Sequence, residues 1–206
     1  MNVRLQYDLE FLAGIYYDDQ LQFNSYSVSV SLLTQTADAA SSSIALERLK
    51  CFVYHDLANT VFFGPSDHDK AEMFQVLGTN VTTLPDSPVD QIVGMMLYCK
   101  LNAIMEDRMI ITSLDISSTL GDSVWYSHDD EDNLGPFAHW PVAEEAWWYN
   151  PSVQHHTLET ESVPDNVVKV TPSAWHEYGL MWPEERNEPT GNTVIYPNFR
   201  KNETHL

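Results

Sequence analysis

Val3-Arg4-Leu5-Gln6-Tyr7-Asp8-Leu9-Glu10-Phe11 alternates without a fault. Val3, Leu5, Tyr7, Leu9 and Phe11 fall on one side; Arg4, Gln6, Asp8 and Glu10 fall on the other. A period of two over this length is the mark of a strand with one buried face. Tyr26-Ser27-Val28-Ser29-Val30-Ser31-Leu32 repeats the pattern, with serine in every polar place. The stretch between them, Gly14 to Asn24, is aromatic and acidic and extends the hairpin. Two such strands close in sequence predict an antiparallel pair whose second face meets water.

Downstream the period lengthens. Ile44, Leu49, Phe52 and Val53 mark an apolar helical stripe, capped by Thr34 or Thr36 and closing near His55, with Asn59 in the turn. Val61-Phe62-Phe63 is a short strand stopped by Gly64-Pro65. Ser66 then opens a helix that buries Phe74 and Leu77 and ends at Gly78. The strongest helix covers 88–106. Pro88 suits its first turn, Asp90 complements its dipole, and the stripe from Val89 to Ile104 is broad enough for near-complete burial. Lys100 interrupts that stripe. Residues 109–117 return to strand; Leu120-Gly121-Asp122 is the turn; Ser123–Ser127 is its partner, with Val124 and Tyr126 inward.

Hairpin, helices, hairpin predicts an α+β fold: a two-layer sandwich whose antiparallel sheet carries helices on one face. This order, over roughly residues 1–127, resembles that of the T-fold enzymes of pterin and purine chemistry. The resemblance is one of element order, and no metal-binding histidine pattern stands in a matching place. No site residue follows from it.

Residues 128–206 read as a second unit, an acidic turn followed by an irregular arm rich in Trp and Pro. All six tryptophans lie beyond residue 120. Ala143–Tyr149 is expected to form a short helix displaying Trp147 and Trp148, and 167–170 and 193–196 to form short edge strands. So long an irregular stretch is functional or wraps a surface, and it is too aromatic for a disordered tail. Its large rings either plug gaps on the chain's own domain or anchor a partner, a task for which Trp is favoured.

The chain carries 30 Asp and Glu against 10 Lys and Arg, a formal net charge of −20. It is poor in bases more than rich in acids. Direct nucleic-acid binding is disfavoured, since phosphates need Lys and Arg, and so is an anionic membrane surface. A protein with a basic or neutral patch is the expected partner. No apolar run reaches the length of a membrane span, and the sequence shows no secretory signal. The expected location is therefore the cytoplasm, or a host cell's cytoplasm or a virion if the chain is viral. Cys51 and Cys99 are expected as buried free thiols. The sheet face bearing Ser27, Ser29, Ser31, Ser113 and Ser117 is either solvated or a contact in a homo-oligomer.

Chemistry is sparsely signalled. Asp130, Asp132 and Gly135 match three positions of a calcium loop, but Pro141 stands where a bidentate carboxylate is required. His55-Asp56 and His68-Asp69 are the candidate ligands of a divalent metal for hydrolysis. Both pairs also suit ordinary helix ends, where the dipole favours them. His139, His155, His156 and His176 have no recurring zinc spacing, and the common nucleophile, phosphate-loop and dinucleotide motifs are absent. No cofactor is implied. The expected function is thus a non-enzymatic interaction protein presenting Asp129, Asp130, Glu131, Asp132, Glu144, Glu145, Trp147 and Trp148 to a basic partner. One form is a viral structural or assembly component. Another is an inhibitor mimicking nucleic-acid charge. A metal-dependent hydrolase is the competing class.

Overall fold

The computed structural model describes residues 3–122, 124–129, 134–137, 146–152 and 175–185. Its frame is the long hairpin. Strand β1 runs from Arg4 to Tyr17 and β2 from Gln20 to Thr34, paired antiparallel along their whole length. Asp18 and Asp19 turn the chain with φ of 51° and 57°, the two left-handed residues of a tight hairpin turn whose twist matches that of the strands. Helix α1 (Ala39–Cys51) follows, then β3 (Val61–Phe63), α2 (His68–Val76), β4 (Val81–Thr83), α3 (Asp90–Met105), β5 (Met109–Ser118) and β6 (Tyr126–Asp129). The six strands make one sheet in the order β4-β3-β1-β2-β5-β6.

That sheet is mixed, not antiparallel as expected. β3 lies parallel to β1, and β4 parallel to β3. Parallel neighbours need a crossover, and the segment carrying α2 supplies one between β3 and β4. Nor do the helices keep to one face. Phe62 joins the main core with Leu9, Phe11 and the faces of α1 and α3. Its neighbours Val61 and Phe63 point the other way and pack with Tyr16 and with Ala71 and Phe74 of α2. So α1 and α3 cover one face, while α2 covers the opposite face at the β3–β4 end. Among the described residues no helix covers the outer face of β1, β2, β5 and β6.

Local details shift by a few residues. Asp38, not Thr34 or Thr36, caps α1, its carboxylate accepting from the backbone N–H groups of Ala40 and Ser41 at 3.2 and 2.8 Å. Thr34 is the last residue of β2 instead. Beyond Cys51 the helix widens into one π-helical turn, Phe52–Leu57, closed by Ala58 N–H donating to Val53 O at 2.9 Å. Leu77, expected inside, is 73% exposed because α2 ends at Val76. The last strand starts later than expected. Tyr126 pairs with Ile116 and Asp129 with Ser113, which leaves Val124 exposed and makes His128 the inward residue. No helix among the described residues is long and apolar enough to cross a membrane.

Helix α3 approaches the sheet at Gly94. A Cβ there would stand 2.7 Å from both His128 Nε2 and Ile116 Cγ2. Gly94→Ala therefore sets a helix-propensity gain of about 1 kcal/mol against an overpacking cost of about 1–3 kcal/mol. The expected result is a net loss of stability, read as a lower urea midpoint. An equal or higher midpoint would show that the helix lifts freely off β5 and β6.

Candidate functional site

Two basic side chains lie wholly inside this base-poor chain. Lys100 is 0% exposed in the middle of α3, and Arg48 is 1% exposed in α1. A buried ammonium is tolerable only with hydrogen-bond partners, and the irregular C-terminal segments provide them. Lys100 Nζ donates to the carbonyls of Trp147, Asn150 and Ser152 at 3.1, 2.7 and 2.8 Å. The rings of Phe52 and Trp147 each lie 5.7 Å from it.

Arg48 holds the second segment. Its Nε donates to Leu180 O at 2.9 Å and its Nη1 to Glu106 at 2.5 Å. The guanidinium sits 3.8 Å from the ring centre of Trp182 and 4.8 Å from that of Trp175, the geometry of a cation over aromatic faces. Arg108 adds an ion pair to Glu184 and a contact with Trp182. The two segments are tied to each other by Trp175 Nε1 donating to Pro151 O at 2.8 Å.

This placement answers where the expected anchors go. Where a short helix displaying Trp147 and Trp148 is expected, the described residues form one 3-10 turn, Trp147–Tyr149, with both rings buried and Trp148 edge to face on Trp147 and on Phe137. Trp147 Nε1 donates to Thr83 O on the β4 edge at 3.3 Å. These rings fill the chain's own core, so they do not form part of its outer surface. Asp129 is exposed at the end of β6. Asp130, Glu131, Asp132, Glu144 and Glu145 lie outside the described residues, as do the edge strands expected at 167–170 and 193–196.

The expected metal ligands are not brought together. His55 and Asp56 belong to the π-helical turn, whose Phe52, Val53 and Leu57 enter the main core. His68 and Asp69 open α2, on the opposite face of the sheet. His68 Nε2 lies 3.4 Å from Glu72 of its own helix. Among the described residues no group of three or more His, Cys, Asp or Glu is placed to hold a metal ion.

Asp56 has another role. One of its carboxylate oxygens is buried without a hydrogen-bond partner among the described residues. Burial pushes its carboxyl up to about 7, opposed by the Lys100 charge. Burial likewise pulls the Lys100 ammonium down to about 7, opposed by the Asp56 charge. Asp56 is thus the acid that answers the buried amine.

A cleft of about 290 Å³ runs beside the C-terminal half of α3, between Tyr98, Asn102, Asp107, Leu134 and Tyr149. It is at the small end for a ligand site. Its one thiol, Cys99, is pushed by burial to about 11, so it is not a thiolate nucleophile near neutrality.

No protein-family model matches the chain, and no curated protein sequence matches it. Among solved structures it is similar to an uncharacterized protein from Wolinella succinogenes, with a TM-score of 0.46 and 11% identity over 64% of this chain and 99% of that one. It is also similar to 6-pyruvoyl tetrahydropterin synthase from Plasmodium vivax, with a TM-score of 0.41 and 11% identity over 62% of this chain and 97% of that one. Likeness this distant assigns no residue a role.

Two outcomes follow from the buried amine. Lys100→Met leaves three carbonyls facing an apolar stem, so the unfolding free energy should fall by about 1–3 kcal/mol and the tryptophan emission should shift to the red. Unchanged stability would show that the segment 146–152 is held by its rings alone. The second outcome concerns pH. A carboxyl raised in the fold binds more protons there than in the unfolded chain, so its stabilisation is lost as pH rises towards about 7. Asp56→Asn removes that loss. The parent's stability advantage over Asp56→Asn should therefore shrink from pH ~4 to pH ~7. A constant or growing advantage in urea titrations at the two pH values would contradict the assignment.

Proposed function

We propose that this chain is a non-enzymatic interaction protein whose acidic exterior meets a basic protein partner. One observation carries the reading: two of the scarce cations are turned inward and two more are paired with acids, which leaves Arg4 and Lys70 as the exposed ones without an ion pair among the described residues. Of the six basic residues among the described ones, Arg48 and Lys100 are buried. Lys50 is paired with Glu47, and Arg108 with Glu184. The surface left behind is dominated by carboxylates, in a chain whose formal net charge is −20. Such a field steers cationic partners and repels polyanions.

The chemistry supports this over hydrolysis, because the two His-Asp pairs stand on opposite sides of the sheet and the buried thiol is unreactive. The assembly form and the nucleic-acid-mimicking inhibitor form share the same acidic exterior and differ in the partner.

The test is a calorimetric titration of the full chain with a lysine- and leucine-containing helical peptide and, separately, with duplex DNA. The peptide should bind, and its affinity should fall by about an order of magnitude or more between about 0.1 M and about 1 M salt, as the screening length contracts from roughly 10 Å to roughly 3 Å. DNA should not bind. Absence of peptide binding at low salt, or binding of DNA, would sink the proposal.

A further inference from the structure

The open face of the sheet is ruled into rows by its register. Gln6, Ser31, Ser113 and Asp129 stand side by side across β1, β2, β5 and β6. Asp8, Ser29, Asp115 and Ser127 form the next row, and Glu10, Ser27 and Ser117 the one after. Beyond them Leu12 lies opposite Ser25, and Phe23 lies opposite Gly14. By strand alternation all of these point away from the core formed by Leu9, Phe11, Tyr26, Val28 and Val30. Leu12 is 60% exposed and Phe23 78%. Arg4, exposed at the start of β1 and on this same face by alternation, is the one Lys or Arg on these strands.

Several carboxylates are held in place, not free to sweep. Ser29 Oγ donates to Asp8 Oδ1 at 2.6 Å and accepts from Gln6 Nε2 at 3.1 Å. Ser127 Oγ donates to Asp115 Oδ1. Serine side chains are short, so the floor between the acids is low and flat. At one side α2 stands on the same face over β3 and β4 and bounds this floor.

We infer that this face is a docking surface for a basic amphipathic helix of a partner protein, a deeper statement that rests on the interaction reading above. Leu12 and Phe23 take the helix's apolar residues, and Asp8, Glu10, Asp115 and Asp129 take its Lys and Arg. Size and charge select this occupant. Four strands spaced about 4.8 Å apart span roughly 14 Å, and residues 6 to 12 of a strand span roughly 20 Å. A helix with its side chains is about 10–12 Å across and fits that strip. A globular partner needs about 800 Å² on each side, well beyond it. A second copy would bring like charges together.

The experiment uses the same helical peptide on the isotope-labelled full chain, followed by backbone amide shifts and calorimetry. Shifts should concentrate on β1, β2, β5 and β6. Asp8→Asn combined with Asp115→Asn should weaken binding about tenfold, Phe23→Ser should weaken it too, and Glu47→Gln on α1 should leave it within about twofold. Far-UV circular dichroism shows that each variant is folded, since every substituted side chain stands on the surface or the open sheet face. Peptide binding that is indifferent to the sheet variants would overturn this surface while leaving the basic-partner reading intact. No peptide binding at low salt would overturn both. A dimer in sedimentation that Phe23→Ser abolishes would give the face to a second copy and overturn the helix.

Discussion

The structure turns on the burial of two cations. Lys100 and Arg48 sit where an apolar side chain would ordinarily stand, one in each of the two helices that cover the main core. Removing a charge from water costs several kcal/mol even after relaxation, and each site offsets part of that cost with hydrogen-bond partners and ring faces. Lys100 collects three carbonyls of residues 146–152 and lies near Trp147 and Phe52, whereas Arg48 takes Leu180 O, lies against Trp175 and Trp182 and pairs with the Glu106 carboxylate. Residues 146–152 and 175–185 satisfy part of their backbone by short turns. The carbonyls of Asn150, Ser152 and Leu180 need other donors, and the two cations supply them. The helix layer and the irregular segments are therefore complementary: each would leave polar groups stranded without the other.

That complementarity decides what the tryptophans do. Trp147, Trp148, Trp175 and Trp182 are buried. Two of them lie against Arg48 and one against Lys100. A ring face is a weak acceptor for a cation, so these indoles both fill volume and soften the burial of charge. Trp125 differs: it precedes β6 and is 54% exposed. These four indoles of the second half thus serve cohesion.

How much of this could be read from the residues alone varies with the range of the interaction. The alternation of Val3 to Phe11 and Tyr26 to Leu32 announced β1 and β2, because period two is a local property. The breadth of the stripe from Val89 to Ile104 announced a central helix. The parallel strands were not legible: Val81-Thr82-Thr83 is too short to show a period, and its place is set by a crossover. The start of β6 was placed early because Val124 fits an inward position as well as His128 does, and only pairing with β5 chooses between them. Leu77 was read as buried from spacing, yet α2 stops one residue before it. Lys100 was visible as a break in an apolar run. What the break meant required carbonyls about 50 residues away, and no local pattern carries that. His55-Asp56 and His68-Asp69 looked equivalent as dipeptides; the alternation of Val61, Phe62 and Phe63 sends their elements to opposite faces.

A base-poor chain can present a strongly negative surface by adding acids or by burying some of its few cations, and the two routes leave different surfaces. Added acids crowd one another, and their mutual repulsion works against the compact state. Hidden cations make the interior cohesive while the exterior keeps a moderate density of carboxylates, here spaced by serines at strand intervals. The serines matter to this balance. Side by side across strands, like charges are destabilising. In the register observed, Asp8 faces Ser29 and Asp115 faces Ser127, so no two carboxylates of the open face are direct cross-strand neighbours. The same spacing that keeps the sheet stable leaves a hydroxyl beside each acid, ready to share a cation's hydrogen bonds. The register thus keeps like charges apart on the outer face without setting a Lys or Arg between them.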